Sequence, residues 1–219
     1  MFKEFRCRQN SFFVLVRGDI VSDIIEESRD TYANLFDKSY HFIVGKKGKS
    51  VEFDVMFSKD QYYHLMGFQH IQDNVLSVKN NKDDMFDKLA DSDFRDELLN
   101  NEYFVEENLA ERISVIANLE ELMDKCTDVY KYNPKAGSRI NADFILKGTD
   151  QNGRSYFCIV KDDTLNFFVG KSVFRRNKGE EDYTNGHTSY SLLYKEKSIL
   201  NAQTREAIKT KPLYVAPIY

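Results

Sequence analysis

Val51, Phe53, Val55 and Phe57 alternate with Glu52, Asp54 and Met56. A period of two places the apolar set on one face of a strand. The β-rich run YHFIVG precedes it, separated only by the basic turn Gly45-Lys46-Lys47-Gly48-Lys49, so the pair reads as a hairpin with one buried face. FSKDQYYHLMGFQHIQDN (57–74) follows at once. Ser58 is its N-cap, Gln61 completes a capping box, and the helix is expected to run to about Asp73. Leu65, Phe68 and Ile71 share one side with His64, whereas the helical period turns His70 about 120° away. The two histidines therefore do not form a metal pair.

The rest of the chain alternates between helical and strand patterns. Residues 11–16 read as a short strand, with Asp19 or Ser22 capping an amphipathic helix through Ile20, Ile24, Ile25, Tyr32, Leu35 and Phe36. Residues 83–124 carry 14 Asp/Glu against 3 Lys/Arg. Within them, Met85–Ala90 and Phe94–Asn100 read as short helices, and Val105, Leu109, Ile113, Ile116, Leu119 and Met123 as one longer helix. This block reads as an acidic helical insertion: a solvated face, or a surface for a partner. Tyr130–Arg139 is turn-rich and is the best internal boundary. Beyond it, ADFILKG and RSYFCIV form a hairpin about Asn152-Gly153, TLNFFVG a third strand, and HTSYSLLYKEK a fourth. GKSVFRRNKGEEDYTNG reads as a long polar loop, and the tail with Pro212 and Pro217 as a docked segment.

The expected architecture is one α+β domain over 1–219, with helices on a four-stranded antiparallel sheet. Its parts are an N-terminal helix, hairpin and His-bearing helix (1–80), the acidic insertion (81–129) and a β-sheet half (139–200). The 42% hydrophobic and 14% aromatic content supplies its core. No apolar run approaches the roughly eighteen residues of a membrane span, and SFFVLV is too short for a signal peptide. Three widely spaced cysteines (Cys7, Cys126, Cys158) exclude a disulfide scaffold and fit a reducing cytoplasm. Residues 1–130 hold 16 Lys/Arg and 26 Asp/Glu, a net of −10, while 131–219 hold 15 and 9, a net of +6. Either the basic half faces a polyanion or the two halves attract each other.

No nucleotide-loop, zinc-protease, hydrolase-elbow or kinase motif is present. GKKGKS (45–50) bridges two strands and lacks phosphate-loop spacing. The remaining inventory suits phosphodiester cleavage in RNA with no cofactor. That reaction needs a base for the 2′-hydroxyl, an acid for the leaving oxygen, and donors on the phosphate. His64 and His187 are the proton-transfer candidates. Ser172, Arg175 and Tyr190 are candidates to hold and orient the phosphate, with Lys171, Arg176 and Lys178 as further phosphate-binding cations. Each has a plainer reading: His64 as a core residue, His187 as a loop end, Ser172 as a turn hydroxyl, Tyr190 as cross-strand packing. Aromatics interleaved with the bases favour RNA contact.

Tyr63-His64-Leu65-Met66-Gly67-Phe68, together with ADFILK, GKSVF and TSYSLLYKEK, resembles the phage-associated barnase–EndoU–colicin–RelE-like nuclease domains, in particular their fourth subtype. The resemblance spans about 20–200. It implies a small α+β nuclease fold, metal-independent ribonuclease activity in phage or mobile-element conflict within a host cytoplasm, and chemistry at His64 and at Ser172 with its neighbouring bases. The acidic block suits RNA poorly unless it faces away. A rival expectation is a non-enzymatic phage protein whose acidic helices bind a host defence or immunity protein.

Overall fold

The computed structural model describes residues 18–68, 82–99, 109–136, 140–151 and 153–217. The proposed strand at 11–16, Cys7, His70 and Val105 lie outside the described residues.

Helix α1 (Gly18–Ala33) leads into β1 (Lys38–Lys46) and β2 (Lys49–Met56), then α2 (Lys59–Met66). Among the described residues, four more helices follow: α3 (Lys82–Lys88), α4 (Ser92–Leu99), α5 (Leu109–Ala117) and α6 (Leu119–Lys125). The remaining strands are β3 (Asp128–Lys131), β4 (Phe144–Asp150), β5 (Gly153–Lys161), β6 (Phe168–Asn177), β7 (Thr188–Leu200) and β8 (Ala207–Val215).

The expected four-stranded antiparallel sheet is corrected to one mixed sheet of eight strands, ordered β1-β2-β6-β5-β4-β3-β7-β8. The N-terminal hairpin, β3 and β8 all join it. β7 is 13 residues long. Its Thr188–Tyr190 end pairs with β3, its Tyr194–Leu200 end with β8, and Ser191–Ile199 with β1. The β1–β7 pairing closes the first seven strands into a ring. One parallel pair, Val55 with Phe168, completes it between β2 and β6.

Local sequence explains most elements. Lys47 and Gly48 both take positive φ, at 50° and 77°, which gives a two-residue hairpin turn matching the strand twist. Phe53, Val55 and Phe57 are buried as their alternation requires. Helix α2 is shorter than expected. Gly67 ends it in the left-handed conformation and returns its N–H to the carbonyls of His64 and Tyr63. The capping box is absent: Ser58 sits at the N-cap, but its hydroxyl bonds the Asp60 carboxylate, and buried Gln61 instead lies beside the Tyr32 hydroxyl. The single helix expected across 105–123 is broken at Asn118 into α5 and α6.

One apolar core joins the inner sheet face to the helices. It contains Ile25 and Tyr32 of α1, Leu35 in the turn after it, Tyr62, Leu65 and Met66 of α2, Ile113 and Ile116 of α5, and Leu119 and Met123 of α6. At its centre Phe53 stacks on Phe42 at 5.1 Å and on Phe144 at 4.7 Å, so the N-terminal hairpin and the C-terminal strands share one aromatic layer. Burial pushes the Cys126 and Cys158 thiols up to about 11 and about 12, which leaves both in the unreactive thiol form at neutral pH.

The buried Lys195 ammonium donates to the carbonyls of Met123, Asp124 and Cys126 at 2.9, 2.8 and 2.7 Å. It satisfies the C-terminal end of α6, where the helix leaves orphan acceptors. Beside it, Lys197 pairs with Asp124 at 2.7 Å and with Glu120 at 3.0 Å, Lys38 pairs with Glu120 at 2.7 Å, and the Tyr40 hydroxyl donates to Asp124 at 2.7 Å. Lys195→Met keeps the apolar stem and strands three carbonyls. It is expected to cost about 3 kcal/mol, the range for hydrogen bonds to a charged group, read as a lowered urea midpoint. Lys197→Met, at the more solvated pair, should cost less.

Candidate functional site

β6 supplies most of the proposed phosphate-handling residues, and it is a strand where a loop was expected. Gly170–Asn177 continues the ladder with β5, pairing Cys158 with Ser172, Tyr156 with Phe174, Ser155 with Arg175 and Arg154 with Arg176. Val173 and Ser172 are buried, which a solvated loop would not allow. The sequence signal was masked because a bulge between Cys158 and Ile159 breaks the alternation at Gly170–Ser172.

Beyond Phe168, the edge of β6 away from β5 is unpaired by any described strand. Helices α2 and α5 pack there instead. Gly170 permits this approach: a Cβ at that position would lie 3.0 Å from Leu65 Cδ2 and 2.9 Å from Phe157 Cε2. Arg112 of α5 reaches along the edge. Its Nη1 donates to the Leu65 carbonyl at 3.2 Å and approaches Ser172 Oγ at 3.4 Å. Its charge also acts on the buried Cys158 thiol. One guanidinium therefore ties the residue after His64 to Ser172. Sequence reasoning missed Arg112, although it was one of only 3 Lys/Arg inside the acidic block 83–124.

Glu111 precedes it on α5. Burial pushes the Glu111 carboxyl above its ordinary value; Glu180 adds to the rise, and Arg176 and Arg175 oppose it. His64 is half-buried at the last turn of α2, with its ring 5.6 Å from that of Tyr63. Lys171, Arg176 and Lys178 are exposed, and none forms an ion pair among the described residues. Arg175 is differently placed. It makes a bidentate pair with Asp150 at 2.6 and 2.7 Å and reaches Ser155 at 3.3 Å.

His187 and Tyr190 lie elsewhere. His187 stacks on Tyr132 at 5.1 Å, its Nδ1 accepts the Asn133 N–H at 3.0 Å, and burial lowers its pKa. The outer-face pairs Tyr130–Ile145, Ile145–Cys158 and Cys158–Ser172 separate this β3 end from β6 by three strand steps, roughly 14 Å. Tyr190 turns to the inner face, edge-on to Phe144 at 6.1 Å and under the Lys46 ammonium at 5.8 Å.

Asp182 secures the 178–187 segment over the outer face. It accepts from Lys147 at 2.7 Å, Tyr156 at 2.9 Å, Arg154 at 3.3 Å and the Thr184 hydroxyl at 2.7 Å. Burial would raise its pKa, but the bonds from Lys147, Thr184 and Tyr156 outweigh it and hold the carboxyl well below the usual range. Tyr183 then packs on Phe174 at 4.6 Å and on His187 at 5.4 Å.

A guanidinium bonded to the carbonyl next to His64 and set against a buried hydroxyl, with a raised carboxyl beside it on α5, supplies groups found in a nuclease-like class of protein. The family model described as phage-Barnase-EndoU-ColicinE5/D-RelE like nuclease4 matches residues 24–211, and the chain belongs to that family. No curated protein and no solved structure matches it. Among the described residues, no helix is long and apolar enough to cross a membrane, and no group of three His, Cys, Asp or Glu side chains is placed to hold a metal ion.

The depressed Asp182 carboxyl has a defined pH signature. Its stabilisation is complete above the unfolded carboxylate value of about 3.9 and is lost as pH falls through the folded value. Asp182→Asn should cost about 2 kcal/mol at pH 7. Urea midpoints of the two proteins should stay apart from pH 7 to pH 4 and converge only as pH is lowered below about 3.9 toward the folded value.

Proposed function

We propose that the chain cleaves RNA without a metal ion, and that its site is the edge of β6 where α2 and α5 meet. The observation that carries this reading is Arg112, bonded to the Leu65 carbonyl and set against Ser172. It places a fixed positive charge between the helix that carries His64 and the strand that carries Ser172. Such a preorganised donor suits the charge that develops on a phosphate under attack.

In this reading the phosphate lies against Arg112 and Ser172, with Lys171, Arg176 and Lys178 attracting the backbone. Glu111 is the base: burial raises its pKa, which makes its carboxylate a stronger proton acceptor. It takes the 2′-hydroxyl proton as the 2′-oxygen attacks phosphorus. His64, protonated, gives its proton to the departing 5′-oxygen, leaving a 2′,3′-cyclic phosphate and a free 5′-hydroxyl. Arg175 supports the strand through Asp150 rather than holding substrate. His187 is a packing residue whose Nδ1 is occupied by the Asn133 amide.

The test is RNA cleavage in excess EDTA. Wild type should cut, His64→Ala should lose about 10²–10⁴-fold, and Arg112→Ala about 10²-fold. His187→Ala should retain the rate and lose only thermal stability. The acid limb of the rate profile should lie above the ordinary carboxylate range and vanish in Glu111→Gln. No cleavage by folded wild type, or equal losses for His187→Ala and His64→Ala, sinks the proposal.

A second reading, a protein-binding role, is favoured by one surface. Helices α3 and α4 expose Asp84, Asp87, Asp93, Asp96 and Glu97. Inert wild type together with loss of a basic protein partner on charge reversal of α4 would support it.

A further inference from the structure

The inner face of the sheet carries lysines at the ring mouth opposite α2. Lys46 pairs with Lys49 across the hairpin, and the alternation that buries Val44 and Phe53 turns both toward the inside. Below them are Val51, 38% exposed, and the half-buried rings of Tyr190 and Phe168. Lys46 lies over Tyr190 at 5.8 Å, and Lys131 over Phe144 at 4.6 Å. Phe168 touches both Phe53 at 5.1 Å and Phe144 at 5.8 Å, so this aromatic floor is continuous. Lys131 is neutralised by Asp143 at 2.9 Å. Lys46, Lys47 and Lys49 form no ion pair among the described residues. Glu52 and Asp54, at alternate positions of β2, face the other side, where Asp54 pairs with His41.

We propose that this mouth binds single-stranded nucleic acid, with phosphates on Lys46, Lys47 and Lys49 and a base on the Tyr190–Phe168 floor. The assignment rests on two complementary features. Unpaired lysines call for a polyanion. Half-open aromatic faces between them call for unpaired bases, because every base has a stacking face whereas a duplex hides it. The site is distinct from the β6 edge. It rests on the proposed RNA-cleaving role only for its purpose, which is to hold a flanking stretch of the strand being cut.

The test uses a fluorescent 2′-O-methyl uridine 12-mer, which lacks the attacking hydroxyl, so binding is read without cleavage. Anisotropy titrations across a salt series should show wild type binding. In Lys46→Ala/Lys49→Ala the affinity should fall about tenfold, and the slope of log K against log salt should shrink by about 1.4, the value for two single-strand phosphate contacts. Tyr190→Leu keeps an apolar side chain against Phe144 and should weaken binding several-fold with the slope unchanged. Thermal melts confirm that both variants fold. Unchanged affinity and slope in the double-lysine variant overturn the site. So does capture of phosphatidylserine vesicles with no binding of the 12-mer. Cleavage tells the two proposals apart: binding lost in the lysine variant with inert wild type sinks only the β6 chemistry, and active wild type with unaltered binding in the variant sinks only this site.

Discussion

The Lys195 ammonium, buried against three carbonyls at the end of α6, is the interaction on which the rest of the arrangement depends. A desolvated charge is tolerated only where its hydrogen bonds are met, and a helix C-terminus supplies acceptors with no internal partner. The bond fixes α6 to β7, and β7 joins β1 to β3 and β8. Helix α5 is held one residue away through Asn118. The position of Arg112 on β6 therefore traces back, through α5 and α6, to a lysine on a different strand.

The charge asymmetry acquires a local meaning here. Acidic Glu120 and Asp124 meet Lys197 of the basic half and Lys38 of the hairpin, so part of the charge of the two halves is spent on each other. Desolvation opposes both Glu120 and Lys197, yet the paired charges hold Glu120 below and Lys197 above their ordinary values. Other cations form no ion pair among the described residues: Lys171 and Arg176 on β6, Lys178 just after it, and the hairpin lysines at the ring mouth. The exposed acids of α3 and α4 belong to separate helices, where Asp87 pairs with Lys59. Cations and anions are sorted by element, which leaves the β6 edge and the mouth basic.

Most of the β6 edge lacks a strand neighbour because β2 meets β6 at a single pair and then gives way to α2. The helices cover that edge in place of a strand, and Ser172 is buried beneath them. Gly170 sets how near α2 comes, and Arg112 fills the seam with charge. On the outer face, Asp182 pins the 178–187 segment over Tyr156 and Phe174, so His187 serves the packing of a second small apolar cluster.

Sequence alone determined the elements whose period was clean: the β1–β2 hairpin, the α2 turn with His64, the β4–β5 hairpin and most of β7, because alternation and turn residues are local properties. It also placed the chain near its family through the Tyr63–Phe68 segment. The closure of the ring was not legible, since it depends on which edges of β7 meet β1, β3 and β8, and side-chain periodicity carries no partner information. Nor was β6, whose bulge broke the alternation and made a buried strand resemble a polar loop. Arg112 and Glu111 were passed over because an acidic helix reads as a solvated face until its neighbours are known. Only the tertiary structure set Arg112 between the Leu65 carbonyl and Ser172 and carried His187 and Tyr190 to other parts of the sheet. Convergence of side chains from distant segments is a property of packing.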